Sequence, residues 1–281
     1  KTWFDEVEEK LTKGFPLYFV FDSVFDERSD IMRVILNKKY NFINKDRKLL
    51  SPDLWFDGVK MFYHGFGQIC LNEKWNWIGK DGKIVSQNKW FDFVSDFYEG
   101  FSRVRLNKKS NIIKTDGTII SPDLWFDEIL FDEGDCFRVE IKDKYNWMKR
   151  DGKLFSGKWF DAVTDFYDGI SCVKRKNKCN FINIEGNLLS NKWYDKTRVF
   201  SEGFGRVILN SKHNWVDRNG KLLSPNQWFD AGGNFKHGFA TVTIGNKWNY
   251  IGKDGKILSP NQWFDFACGF TGESGYVGIN N

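Results

Sequence analysis

One aspartate recurs through the 281-residue chain at spacings of 34 or 35 residues, usually within Trp-Phe-Asp. Carboxylates in such numbers could hydrolyse glycosidic bonds or bind calcium. Hydrolysis needs two carboxylates in different environments, and calcium needs several oxygen ligands within one loop. Near-identical aspartates beside aromatic rings meet neither requirement, so we expect them to accept hydrogen bonds from backbone N–H groups in turns. This aspartate column comprises Asp22, Asp57, Asp92, Asp127, Asp161, Asp195, Asp230 and Asp265.

No other residue pattern indicates catalysis. The three histidines, His64, His213 and His237, stand where other periods have ordinary surface residues, and no nucleophile elbow or phosphate-cradling loop is present. The five cysteines have neither the paired nor the regular spacing of a zinc site or a disulfide framework. We therefore expect a protein that is not an enzyme, with no catalytic residue, no metal and no cofactor.

Two columns of variable residues are candidates for recognition. The arginine column comprises Arg33, Gln68, Arg103, Arg138, Cys172, Arg206 and Thr241, and the aromatic column comprises Tyr40, Trp75, Ser110, Tyr145, Cys179, His213 and Trp248. Arginine binds carboxylates, phosphates and aromatic faces, and exposed rings stack on sugars or anchor proteins. The predicted binding residues are the four arginines with Tyr40, Trp75, Tyr145 and Trp248. Two alternatives stay open: the arginines pair with the aspartate column or are solvated, and the rings are covered by the adjacent repeat.

The elements that carry these columns are three short strands in each period. Phe101–Leu106 typifies the first strand, Asn76–Gly79 the second and Lys83–Ser86 the third, since apolar and polar residues alternate within short segments. Asp81-Gly82 separates the last two, and this dipeptide favours a type I′ hairpin turn. Every period also has an asparagine in its second strand, which we interpret as a positive-φ or bulge position. These are Asn41, Asn76, Asn111, Asn146, Asn180, Asn214 and Asn249.

The repetition predicts an all-β fold. Aromatic residues make up 18% of the chain, and a three-stranded unit cannot bury rings on both faces unless neighbouring copies cover them. We predict an elongated β-solenoid of tandem three-stranded repeats of ~35 residues, with a closed seven-bladed β-propeller as the alternative. The predicted domains are an N-terminal cap over 1–21 with a short helix ending at Gly14, seven repeats over 22–265, and a partial eighth repeat or C-terminal cap over 266–281.

These periods resemble the bacterial WG-repeat family. The resemblance covers residues 22–270 and rests on Phe97-Tyr-Glu99-Gly100, Lys74-Trp75-Asn76-Trp77-Ile78, Asp81-Gly82-Lys83 and Phe91-Asp92. The chain departs from the family in its namesake dipeptide, because asparagine replaces the glycine throughout and the tryptophan remains only as Trp75 and Trp248. The resemblance implies a tandem β-repeat used for interaction, with no catalytic residues to carry over.

The composition indicates which classes of partner the chain could bind. Net charge is +5, from 42 basic against 37 acidic residues, so nucleic acid is the weaker candidate. No stretch approaches the ~20 apolar residues of a membrane span, and we expect no membrane insertion. We expect a scaffold or binding module for a protein partner, and the alternative is a module that binds glycans or cell-surface polysaccharides. Unpaired cysteines favour the cytoplasm, whereas removal of a signal peptide would allow the cell surface, so localisation is left open.

Overall fold

A computed structural model describes residues 3–17, 20–25, 30–131, 136–272 and 274–279. The chain divides into two compact units. The first comprises Lys1–Phe131 with Arg150–Lys153, and the second comprises Asp132–Lys149 with Leu154–Asn281. Within the two predicted end segments, residues 1, 2, 18, 19, 273, 280 and 281 lie outside the described residues. The predicted domain boundaries stay predictions.

The first unit contains one helix and ten strands. They are α1 (Trp3–Thr12), β1 (Ser23–Phe25), β2 (Ile31–Leu36), β3 (Lys39–Asn44), β4 (Gly58–Tyr63), β5 (Phe66–Leu71), β6 (Lys74–Gly79), β7 (Phe93–Val94), β8 (Phe101–Leu106), β9 (Lys109–Lys114) and β10 (Glu128–Phe131).

The second unit contains only strands in its described part. They are β11 (Cys136–Ile141), β12 (Lys144–Lys149), β13 (Ala162–Val163), β14 (Ile170–Arg175), β15 (Lys178–Asn183), β16 (Lys196–Ser201), β17 (Phe204–Leu209), β18 (Lys212–Val216), β19 (Ala231–Gly232), β20 (Phe239–Ile244), β21 (Lys247–Gly252), β22 (Phe266–Ala267) and β23 (Val277–Gly278).

Each of the three-stranded sheets is a short antiparallel meander that begins just after an aspartate of the recurring column. In the first unit the sheets are β1-β2-β3, β4-β5-β6 and β7-β8-β9, and in the second they are β13-β14-β15, β16-β17-β18 and β19-β20-β21, with the pairs β11-β12 and β22-β23. Among the described strands no sheet closes on itself. The predicted all-β, solenoid-type array of three-stranded repeats is confirmed.

The prediction was wrong about which segment supplies the third strand. Lys83–Ser86 makes only an isolated bridge between Ile78 and Ile84, and the third strand of each sheet is the segment after the recurring aspartate, such as β4 or β7. The reason lies in Asn76, because its Nδ2 donates to Ser86 O at 2.7 Å and its Oδ1 accepts from Ser86 N at 3.2 Å. A side chain thus takes the place of the next backbone pairing.

The interpretation of this asparagine as a positive-φ residue was also wrong. All seven are fully buried in strands and none has positive φ. Asn111 shows the arrangement: Nδ2 donates to Ser121 O at 2.7 Å and Leu124 O at 3.2 Å, while Oδ1 accepts from Ile112 N at 2.8 Å. The asparagine therefore satisfies backbone groups of the loop that leaves the sheet.

The type I′ turns lie at other places than Asp-Gly. Gly82 has φ 79° but Asp81 does not have positive φ, as in a type I turn followed by a left-handed residue. Two consecutive positive φ values occur instead at Asn107-Lys108, between the first two predicted strands, and at Glu99-Gly100. Gly82 also lies so close to Leu50 O of the preceding repeat that a Cβ would collide with it.

Successive sheets bury apolar side chains between them. Trp77 of β6 shares a core cluster with Val94 and Val104 of the next sheet, and Trp215 of β18 does the same with Val242 and Ile251. At the start of the first unit, Val7 and Leu11 of α1 share a cluster with Met32, Val34 and Ile43. The predicted helix is thus present and covers a sheet face, and Gly14 just beyond it has φ 75°.

Candidate binding surface

The aspartate column has the turn-acceptor role that the sequence predicts. Asp92 accepts from Asn107 N at 2.7 Å through Oδ2 and from the Lys74 ammonium through Oδ1. The Lys74 contact lowers the pKa of Asp92 from its ordinary value, and the backbone N–H of Asn107 lowers it further. The same lysine pairing occurs at Lys39–Asp57, Lys74–Asp92, Lys109–Asp127, Lys144–Asp161, Lys178–Asp195, Lys212–Asp230 and Lys247–Asp265.

These carboxylates are therefore engaged in holding turns and strand ends together. In the part of the chain that the structure describes, no three His, Cys, Asp or Glu side chains come close enough to hold a metal ion. No described helix has the length and apolar character needed to cross a membrane. His64 and His237 lie in positive-φ turns, as their sequence positions suggest.

The arginine and aromatic columns lie on the same face of their sheets. Arg103 is paired with Ile112 and Ser110 with Arg105, so Arg103 and Ser110 point to one side. The same register relates Arg33 to Tyr40 and Arg138 to Tyr145. All eight predicted binding residues are half-buried rather than open to solvent.

Three members of the arginine column contact an acid of the next repeat, not the aspartate column. Arg103 Nη1 contacts Glu128 Oε1 and donates to Ile129 O at 3.1 Å, and Arg105 Nη2 lies 3.4 Å from Glu128 Oε2. Arg138 Nη1 donates to Asp165 Oδ1 at 2.7 Å, and Gln68 Nε2 donates to Asp96 Oδ1 at 2.6 Å. These contacts link one repeat to its successor.

Arg33 and Arg206 differ from the other arginines in the column. The Arg33 guanidinium lies over the Phe25 ring at 4.7 Å, beside a groove of about 320 Å³ that Met61, Phe62 and His64 also line. Arg206 Nη1 donates to Gly232 O, a backbone carbonyl, and no carboxylate of the described residues pairs with it. The column thus contains arginines that cross-link two repeats and also Arg206, which pairs with no carboxylate of the described residues.

The aromatic column contributes to the structure through its backbone as well as its rings. Tyr40, Trp75, Tyr145 and Trp248 each form a backbone bridge with the phenylalanine of a Trp-Phe-Asp segment. The Trp75 ring packs against the core cluster of its repeat and also has the Lys60 ammonium 5.0 Å from its centroid. Little of this ring is open for stacking on a sugar.

Sequence reasoning missed a third column, which is exposed. Tyr63, Tyr98 and Tyr167 precede the Gly-containing turns at equivalent positions, and their exposed fractions are 54%, 62% and 69%. Tyr98 pairs with Phe101 across the type I′ turn of Glu99-Gly100, which points the ring outward. We call these three residues the tyrosine column. The recurrence of tyrosine before the turn was visible in the sequence, but its exposure was not.

Three segments of the chain match the model of the WG containing repeat family, residues 77–109, 181–212 and 215–248. These segments are WG repeats. The family resemblance seen in the sequence is confirmed, although asparagine stands in place of the glycine. Each matched segment begins within the last strand of one sheet, β6, β15 or β18, and continues through the first two strands of the next sheet.

Comparison with solved structures gives distant likenesses. Kluyveromyces lactis Hsv2 is 11% identical with a TM-score of 0.28, over 82% of this chain and 88% of that chain. PorZ, a bacterial surface component of the type-IX secretion system of Porphyromonas gingivalis, is 7% identical with a TM-score of 0.30, over 90% of this chain and 39% of that chain. A comparison with curated proteins finds no match.

Proposed function

We propose that this WG-repeat chain is a non-catalytic binding module in which the exposed residues of the tyrosine column, each on its own sheet, bind a protein partner. The membership of its segments in a repeat family used for binding supports a binding role. The observation that carries the proposal is the recurrence of large exposed rings at one turn position in Tyr63, Tyr98 and Tyr167. Tyrosine is enriched at protein interfaces because its ring is apolar and its hydroxyl can still find a polar partner.

The engaged state of the polar columns favours binding over catalysis. The aspartates are held by lysines and turn N–H groups, and the asparagines are buried and bonded to backbone carbonyls. A general acid or base needs a group free to exchange a proton with a substrate. The tyrosine rings, by contrast, have large exposed areas that a partner would bury.

The ring environment also favours a protein over a glycan. Sugar binding by stacking needs an open ring face, and the Trp75 ring is half-buried with Lys60 over it. The exposed tyrosines project from turns that carry charged pairs such as Glu99 with Arg150, at 2.5 Å, and Asp168 with Arg218. Apolar anchors surrounded by charged groups have the composition of a protein interface with a polar rim.

A retention experiment with matched variants tests the proposal. The chain is immobilised and exposed to nuclease-treated native lysate, and retained proteins are identified by mass spectrometry. Tyr63→Ser, Tyr98→Ser and Tyr167→Ser are combined in one variant. The control combines serine substitutions at three exposed apolar residues outside the column, Ile244, Leu258 and Ile279.

A defined protein retained by the wild type and the control but lost from the tyrosine variant is the expected result. Equal retention by all three chains would contradict the proposal. So would a tyrosine-dependent ligand that glycosidase treatment releases, because that result would establish the glycan alternative. Both variants are checked for wild-type thermal unfolding before the comparison.

A further inference from the structure

Arg103 and Arg206 hold the same place in two repeats but have different surroundings. Arg103 donates to the backbone carbonyl of Ile129 and also contacts the Glu128 carboxylate. Arg206 donates to the carbonyl of Gly232, the residue equivalent to Ile129 by its distance from the recurring aspartate. The guanidinium is thus fixed by the same backbone contact in both places, and only the carboxylate differs.

The carboxylate is missing at both positions from which other repeats supply it. Glu128 follows its recurring aspartate by one residue, and Asp96 and Asp165 follow theirs by four. After Asp230 those two positions are Ala231 and Asn234, both neutral. Ala231 therefore supplies no carboxylate at the position from which Glu128 contacts Arg103.

An arginine and a histidine stand next to Arg206. A bulge in β16 places Arg198 and Val199 opposite Arg206, between the paired residues Thr197–Val207 and Phe200–Gly205. His213 is paired with Ile208 in β18 and so lies on the same sheet face as Arg206. Among the described residues, Arg206 Nε is a buried nitrogen without a hydrogen-bond partner. A buried donor that stays unsatisfied costs free energy.

The acids that flank this cluster in the chain are already engaged. Asp195 binds the Lys178 ammonium and Asn210 N, and Asp230 binds the Lys212 ammonium and Gly245 N. Burial lowers the pKa of His213 from its ordinary value, and the charges of Arg206 and Arg198 lower it further. His213 is therefore held in its neutral form, and the positive charge of the cluster is that of Arg198 and Arg206, which no described carboxylate neutralises.

We propose that Arg198, Arg206 and His213 form a binding site for a carboxylate supplied by an acidic segment of the protein partner. This inference rests on the proposed function. Carboxylate is the chemistry that the same arginine column binds within the chain, at Glu128 and Asp165. An external carboxylate would complete beside Arg206 the contact that the chain completes for itself beside Arg103. A net charge of +5 on the chain also favours an acidic partner.

The test is an NMR titration of the full chain with three probes: a hexaglutamate peptide, free glutarate and inorganic phosphate. The readout is the ring resonance of His213, assigned by its loss in His213→Gln. Peptide binding should move this resonance and raise the pKa of His213. Arg206→Gln removes the charged group that would donate to the peptide carboxylate. It should therefore weaken the affinity for the peptide about tenfold or more.

Ala231→Glu provides the sharpest variant, since it restores the acid that Glu128 supplies elsewhere. It should abolish peptide binding while the chain stays folded, because the cluster is then filled internally. Arg105→Gln removes one positive charge outside the cluster and should leave peptide affinity unchanged. If the peptide binds Ala231→Glu or Arg206→Gln as tightly as the wild type, the site assignment is wrong.

The probes separate the sources of the anion. Glutarate or phosphate that binds as tightly as the peptide would contradict an acidic segment as the ligand. Retention of a partner that depends on the tyrosine column but not on Arg206 would overturn this inference and leave the proposed function standing. The proposed function is contradicted by a different result: retention of the partner that does not depend on the tyrosine column, whatever the titration shows.

Discussion

The region around Arg103 and the region around Arg206 share one frame and differ in one charge. In both, an arginine of the first hairpin strand donates to the backbone carbonyl two residues after the recurring aspartate. Beside Arg103 a glutamate completes the contact, whereas beside Arg206 an alanine leaves it open. The difference teaches that one position of a repeat can serve as an internal cross-link in one copy and be left available in another.

The two regions can be compared because each has an equivalent buried asparagine in the strand that pairs with the arginine's strand. Asn111 donates to Ser121 O and Leu124 O, and Asn214 donates to Ser224 O at 2.6 Å and Gln227 O at 3.1 Å. These bonds fix the loop that carries the chain to the next sheet. The two regions therefore hold their arginines on equivalent backbones.

The largest expected effect tests this shared frame. Asn111→Ala and Asn214→Ala should each lower the free energy of unfolding by about 3 kcal/mol, since each leaves two backbone carbonyls and at least one N–H without the side-chain partner. Chemical denaturation measures the loss. Asn219→Ala, at an exposed turn position, is the control and should change stability little. A much smaller loss at Asn214 than at Asn111 would break the comparison.

A pair of opposite substitutions addresses the charge itself. Glu128→Ala should destabilise the chain by about 1 kcal/mol, because the half-buried Arg103 loses its ion pair, and Ala231→Glu should stabilise it by a similar amount. Thermal unfolding of both variants measures the two signs. Destabilisation by Ala231→Glu would show that no space for a carboxylate exists beside Arg206.

The smallest expected effect is a pH dependence confined to the Arg206 region. Because burial lowers the folded-state pKa of His213, the unfolded chain binds a proton more readily as pH falls below about 6.5. The free energy of unfolding should therefore fall between pH 7.5 and 5.5 more in the wild type than in His213→Gln. Denaturation at both pH values measures it, and equal slopes for the two chains would contradict the low pKa.

Several features of the protein were predictable from the residues alone. The period of 34 or 35 residues, the all-β character, the helix ending near Gly14 and the turn role of the aspartates all follow from local patterns. A hairpin and its turns involve residues close in the chain, so their preferences are written in short segments. The WG-repeat resemblance rested on the same segments.

Other features were mispredicted because they depend on contacts between distant residues. The third strand was assigned to Lys83–Ser86, where the Asn76 side chain competes successfully with the strand pairing. The asparagine column was explained by backbone conformation, although its role is to bond carbonyls ten to thirteen residues away. A pattern of residue types does not specify whether a backbone group will bond to a neighbouring strand or to a side chain.

The amino-acid sequence by itself determines that this chain is a tandem β-repeat, because apolar alternation and turn residues act over a few positions. The tertiary structure decides which arginines of the column pair with a carboxylate of the chain and which do not. Arg103 and Arg206 hold the same position in their own strands, and the contact with the following repeat, about 25 residues on, gives one a carboxylate and leaves the other without. Function in such a protein depends on those contacts between neighbouring sheets.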